Sequence, residues 1–101
     1  MKKILIVCGT GASSGFMAAS VRKAAKARKE DLEILARSDY AVEEYAKEIA
    51  LLLVGPHLSY ILPDLERIVA PYEVPVKLIP DGIYGALDGN QMLDFILENL
   101  K

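Results

Sequence analysis

The chain has one cysteine, one histidine and no tryptophan among its 101 residues. A single cysteine permits no internal disulfide, so the fold must be held by its core. The thiol is expected to stay reduced, as in the cytosol. One histidine is too few for an ordinary zinc site, and no metal is expected. Long apolar runs are also missing. The longest aliphatic stretch, Ile49 to Val54, is six residues, far too short to span a bilayer. The run after Lys2 and Lys3 reaches Gly9 quickly and passes into a periodic helical pattern, which argues against an export signal. Charges of both signs are interspersed, the formal net charge is -2 and no basic tract occurs, so nucleic acid is not an expected partner. Repeats, linkers and low-complexity segments are absent. Apolar residues make up 52 %, enough for a modest core, and the length predicts a single domain over 1–101.

What is present is an alternation of apolar runs and helical patterns. Ile4-Leu5-Ile6-Val7, within a strand over 2–8, is apolar on both faces, as for a central parallel strand. Gly9 to Ser13 reads as a loop, with Ser13 or Ser14 capping a helix that runs to about Arg28. Met17, Val21, Ala24 and Ala25 form its apolar face. Leu32 to Ala36 reads as a second strand, at an edge because Glu33 interrupts it. Asp39 is a candidate cap for a short helix over 40–47, with Tyr40, Val42, Tyr45 and Ala46 as contacts. Residues 49–54 form a third, central strand. The stripe Leu58, Ile61, Leu62, Leu65, Ile68, Val69 predicts a helix over 58–70, kinked or restarted near Pro63. Residues 74–79 form a fourth strand, an edge because of Pro75. A turn-rich loop, PDGIYGALDGN, covers 80–90, and a helix over 91–100 packs through Met92, Leu93, Ile96, Leu97 and Leu100.

The resulting fold class is α/β, a single four-stranded parallel sheet of order 2-1-3-4 with helices on both faces. In that order the loops after strands one, three and four converge beside Cys8. The cysteine stands before GTGASSG at the start of a helix. Backbone N–H groups of a glycine-rich turn and a helix N-terminus attract anions, and they would also favour a thiolate. A thiolate over an anion cradle is equipped to take a phosphoryl group. The plainer alternative makes Cys8 a small buried apolar residue and the glycines turn formers. GTGASSG lacks the lysine of a nucleotide P-loop, and as a dinucleotide fingerprint it has no second half of a fold behind it. A tyrosine-phosphatase-like site needs an arginine six positions after its cysteine, where this chain has Ser14. Hydrolysis of a phosphocysteine is therefore not expected, although a low-molecular-weight phosphatase-like or phosphate-binding regulatory module is the alternative class.

Around Cys8, the phosphoryl-binding candidates are Gly9, Thr10, Gly11, Ala12, Ser13, Ser14 and Gly15. His57, in the turn after strand three, either donates to a phosphoryl oxygen or is an exposed turn residue. Asp81 is a possible acid, though Asp81 and Asp88 are also ordinary turn formers. Tyr84-Gly85 sits in a loop long enough to act as a lid or docking surface. Of Phe16 and Met17, one could be exposed to a partner at the first helical turn.

The segments KILIVCGTGASSGFMA, LLLVGPHLSY and PDGIYGALDGNQML resemble the IIB proteins of the bacterial phosphoenolpyruvate-dependent sugar phosphotransferase system, lactose/cellobiose (chitobiose) class, over nearly the whole chain. The family loop reads roughly C-S-A-G-M-S-T-S, so the resemblance puts the family cysteine on Cys8, its glycine on Gly11 and the following serine on Ser13. The strand-three turn commonly reads L-L-G-P-Q, and Y-G-x-x-x-G corresponds to Tyr84, Gly85 and Gly89. Gly9, Ala12 and His57 depart from the family's serine, methionine and glutamine. IIB proteins for galactitol and ascorbate share the basic motif. The resemblance implies a phosphohistidine–sugar phosphotransferase component without cofactors. Cys8 would accept the group from a phosphohistidine of a IIA protein. A sugar bound to the membrane IIC component, a β-glucoside disaccharide such as cellobiose or chitobiose, would receive it. The chain would then be cytoplasmic and meet the inner face of the membrane through IIC.

Overall fold

A computed structural model describes residues 2–7, 12–86 and 88–100, without the side chains of 12–14. Four parallel strands, β1 (Lys2–Val7), β2 (Leu32–Arg37), β3 (Leu51–Val54) and β4 (Val76–Leu78), form one sheet in the order β2-β1-β3-β4. Ile4 is level with Ile34 on one side and Leu51 on the other, and Leu52 is level with Val76. The helices are α1 (Ala12–Ala27), α2 (Val42–Tyr45), α3 (Leu62–Val69), α4 (Asp81–Ala86) and α5 (Gly89–Asn99). The predicted sheet, its order and its edge strands are the observed ones.

The two-residue period of the central strands divides the core. Ile4, Ile6, Leu51 and Leu53 face α1 and α5, where they meet Met17, Ala18, Val21, Met92, Leu93 and Ile96. Leu5, Val7, Leu52 and Val54 face the other way, toward Val42, Ala46, Leu58, Leu65 and Val69. All eight strand residues are fully buried. Each such side chain contributes roughly 1.5–3 kcal/mol relative to an exposed one. That is why both faces of β1 and β3 read as apolar.

Several boundaries differ from expectation. α1 begins at Ala12, so Ser13 and Ser14 lie inside its first turn and neither is its cap. The capping position precedes Ala12 and lies outside the described residues. The segment after β2 is a 3-10 turn over Asp39–Ala41 followed by the short α2, in place of the single helix expected over 40–47. Asp39 lies within that turn and makes no cap; the capping position is Ser38, without a side-chain bond. Tyr40 is 90 % exposed and is no core contact. β3 starts at Leu51, although Ile49 is buried against the second cluster. After β3 a 3-10 segment, Pro56–Ile61, precedes α3, with Pro63 in the first turn of α3, where its missing N–H costs nothing. β4 is shorter than 74–79.

The largest difference is in PDGIYGALDGN. Residues 81–86 form α4, started by the Pro80 carbonyl, which accepts the N–H groups of Ile83 and Tyr84 at 3.1 and 3.0 Å. The glycines suggested a loop, yet a Cβ at Gly82 or Gly85 would meet nothing within 4 Å, so both sit on an open side of a helical turn. α5 begins two residues earlier than predicted. Asp88 is its cap, and its Oδ1 accepts the N–H groups of Asn90 at 2.9 Å and Gln91 at 3.3 Å.

Candidate functional site at the carboxyl edge of the sheet

The carboxyl ends of the central strands are stitched together by main-chain bonds. Gly55 N–H donates to the Val7 carbonyl at 2.9 Å, and Ile79 N–H donates to the Val54 carbonyl at 2.8 Å. The connections that leave β1, β3 and β4 therefore start side by side. β1 ends at Val7 and α1 starts at Ala12, so the α1 N-terminus rises from the same edge. The first turn of a helix leaves N–H groups without intrahelical partners, and those groups favour an anion. No acidic residue stands in the first turn of α1 to compete for them.

Cys8, Gly9, Thr10 and Gly11 lie outside the described residues. Ala12, Ser13, Ser14 and Gly15 are not loop residues. They form the first turn of α1, so their part in an anion site would be played by helix N–H groups. Gly15 is exposed, and a Cβ there would meet nothing within 4 Å. Phe16 is 71 % exposed while Met17 is fully buried, which answers which of the two points outward.

His57 and Tyr84 are brought together. His57 is exposed in the 3-10 segment after β3, and Tyr84 is half-buried in α4. Their ring centroids are 5.7 Å apart with the planes tilted by 56°. Tyr84 packs against the core cluster beneath α1 and α5, and its hydroxyl is buried. Sequence reasoning named both residues but not their contact, because it read Tyr84 as part of a loop. Asp81 is exposed at the first residue of α4, where a carboxylate suits the helix dipole. Asp88 serves α5 as its cap. Among the described residues no group of three or more His, Cys, Asp or Glu side chains could hold a metal ion.

An open parallel sheet whose order reverses beside β1 defines an α/β protein of the doubly wound class, in which ligands generally bind at the carboxyl edge. Comparison with known proteins narrows the class. The family described as "PTS system, Lactose/Cellobiose specific IIB subunit" matches residues 3–95, and the chain belongs to it. It is 29 % identical over 91 residues to the oligo-beta-mannoside-specific EIIB component of Bacillus subtilis strain 168, covering 90 % of this chain and 88 % of that protein. It is 26 % identical over 99 residues to the lactose-specific EIICB component of Lacticaseibacillus casei, covering 96 % of this chain and 17 % of that longer protein. The solution structure of the cellobiose-specific IIB component from Borrelia burgdorferi superposes with a TM-score of 0.78 at 26 % identity, covering 96 % of this chain and 89 % of the other. The lactose-specific IIB domain from Streptococcus pneumoniae gives a TM-score of 0.88 at 15 % identity, covering 96 % and 95 %, a likeness of fold. Family and fold thus agree on the IIB family of the sugar phosphotransferase system. Among the described residues no helix is long and apolar enough to cross a membrane.

Proposed function

We propose that residues 1–101 act as one phosphoryl-carrier domain, accepting a phosphoryl group from a phosphohistidine of a IIA protein onto Cys8 and passing it to a sugar held by the membrane component IIC. The observation that carries this reading is membership of the IIB family by a chain whose cysteine directly follows β1 and precedes the N-terminus of α1. In the first step the Cys8 thiolate attacks phosphorus, an S–P bond forms, and the N–P bond breaks. The imidazole leaves with its electron pair and takes up a proton. In the second step a sugar hydroxyl attacks, the S–P bond breaks, and the thiolate is restored as the hydroxyl proton is released. Backbone N–H groups from Gly9, Thr10, Gly11, Ala12, Ser13, Ser14 and Gly15 stabilise the phosphoryl oxygens in both steps. His57 borders the site and supplies a further donor; Asp81 and Tyr84 flank it on α4.

The proposed acceptor is a β-glucoside disaccharide such as cellobiose or chitobiose. The named specificities of relatives range over oligo-beta-mannoside, lactose, galactose and cellobiose. The cytoplasmic side of the membrane is the proposed place of action, with IIC as the docking partner. The test is incubation of the full chain with a phosphorylated IIA donor, followed by intact-mass and peptide analysis. One phosphoryl group on Cys8, and none on the Cys8→Ser variant, is expected. Stable modification elsewhere in the variant would overturn the assignment.

A further inference from the structure

On the face of the sheet away from α1 and α5, a groove separates the segment after β2 from α3. Its volume is about 230 Å³, and it is lined by Asp39, Tyr40 and Glu43 on one wall and by Ile61, Asp64, Leu65 and Ile68 on the other. Ile61, Leu65 and Ile68 stand four and three positions apart, so they form one stripe along α3. Leu65 is buried, while Ile61 and Ile68 are half-buried and keep part of their surface open to water. The opposite wall is acidic. Asp39 and Glu43 have no ion pair among the described residues, whereas Asp64 is held by Arg67 at 3.0 Å. The segment from Asp39 to Ile68 carries six acidic and two basic residues, a formal charge of -4 against -2 for the whole chain.

An aliphatic stripe facing carboxylates fits a long cationic side chain. Lys and Arg lay an apolar stem along hydrocarbon and keep the charged head in water. Here the stem would lie on Ile61, Leu65 and Ile68, and the head would meet Asp39 and Glu43. The volume suits a single side chain, since a cavity of ~150 Å³ holds one benzene molecule. A lipid surface does not fit, because the inner leaflet is itself anionic and would repel this face. Cytoplasmic loops of membrane proteins, by contrast, carry an excess of Lys and Arg. Asp39 follows the end of β2 by two residues, so the groove begins at the carboxyl edge of the sheet.

We propose that this groove is the docking site for a basic segment on the cytoplasmic face of IIC, with one Lys or Arg seated between α2 and α3. The proposal rests on the phosphoryl-carrier reading, which supplies IIC as the partner.

The test uses the full chain, phosphatidylethanolamine/phosphatidylglycerol vesicles with and without IIC, and a phosphorylated IIA donor. Binding of the unphosphorylated chain to vesicles is measured by co-sedimentation at low and high salt. Saturable binding should require IIC and weaken with salt. Asp39→Asn/Glu43→Gln should raise the half-saturating concentration about 2- to 30-fold, the span of two exposed ion pairs, and flatten its salt dependence. Glu98→Gln removes a charge from α5 and should change neither. Phosphorylation by IIA should proceed at the same rate in all these chains. A benzophenone amino acid in place of Tyr40, which lines the groove and is 90 % exposed, should cross-link on illumination to a Lys- or Arg-bearing cytoplasmic segment of IIC. The proposal is overturned by any of four results: no IIC-dependent binding of the parent chain, unchanged binding in the double variant, cross-links to a segment without Lys or Arg, or slower phosphorylation by IIA with IIC binding intact. Each leaves the carrier reading standing while Cys8 takes the phosphoryl group from IIA. A parent chain that takes none sinks that reading, and its binding to IIC vesicles is still measured.

Discussion

Gly89 shows how closely α5 is seated on α1. A Cβ built on Gly89 would lie 2.2 Å from the Ser20 carbonyl oxygen, 2.5 Å from its carbon and 3.0 Å from the Ser20 Cβ. The first two atoms are backbone in the middle of α1, so no rotamer change relieves them. Gly89→Ala therefore forces α5 to back away from α1 by about an ångström, loosening the layer in which Met92, Leu93 and Ile96 meet Met17 and Val21. Overpacking of this kind costs about 1–3 kcal/mol, toward the upper end where the obstacle is main chain. Without the clash the same substitution would stabilise by about 0.4–1 kcal/mol, through lost freedom of the unfolded chain. The two accounts thus differ in sign. Urea and thermal unfolding should show a net loss of about 2 kcal/mol, and a melting temperature lower by roughly 10 °C for a domain of this size. A variant as stable as the parent, or more so, would refute the close-approach argument.

Other substitutions probe single devices. Asp88→Ala removes the carboxylate that accepts from Asn90 and Gln91, and should cost about 1 kcal/mol in urea unfolding. Lys29 closes α1 in the left-handed region at φ 57, with Glu30 N–H bonded to the Ala25 carbonyl. Lys29→Gly should therefore stabilise by about 1 kcal/mol, visible as a raised urea midpoint. The thiol of Cys8, placed before a helix N-terminus, should alkylate with a half-maximal rate below pH ~8.5, the free-cysteine value. A profile centred at or above that value would argue against a thiolate cradle.

The sheet was legible because its physics is local and redundant. A strand buried on both faces must be apolar at consecutive positions, and β1 and β3 are. Right-handed crossovers with helices on both faces then leave few orders, and the favoured one, 2-1-3-4, is the one observed. The departures arise where local signals compete. Gly82 and Gly85 read as loop residues because glycine weakens helices, yet the Pro80 carbonyl and Asp81 start α4 regardless. Ser13 and Ser14 look like caps, but the helix begins before them. Met17 is buried on the apolar face it shares with Val21 and Ala24, as the periodicity had it, and Phe16, one position earlier, is exposed. Of the candidate site, Cys8 and the glycines could be named from their spacing between a strand and a helix. The contact of His57 with Tyr84 could not, since it depends on a helical turn the composition disguised. Gly89, one of the glycines in the family-like late motif, serves helix packing, a role visible only once Ser20 is seen beneath it.

The central claim is that Cys8 carries a phosphoryl group in transit. A single-turnover experiment tests it most directly. The full chain, isotopically phosphorylated on Cys8 and freed of donor, is mixed with inside-out membrane vesicles containing IIC and with cellobiose or chitobiose. The label on Cys8 and the sugar phosphate are then followed by rapid quench. The account predicts that label leaves Cys8 at the rate at which sugar phosphate appears, with little inorganic phosphate formed and slow loss when IIC is omitted. Rapid release of inorganic phosphate without IIC, or sugar phosphate appearing faster than the label leaves Cys8, would contradict it.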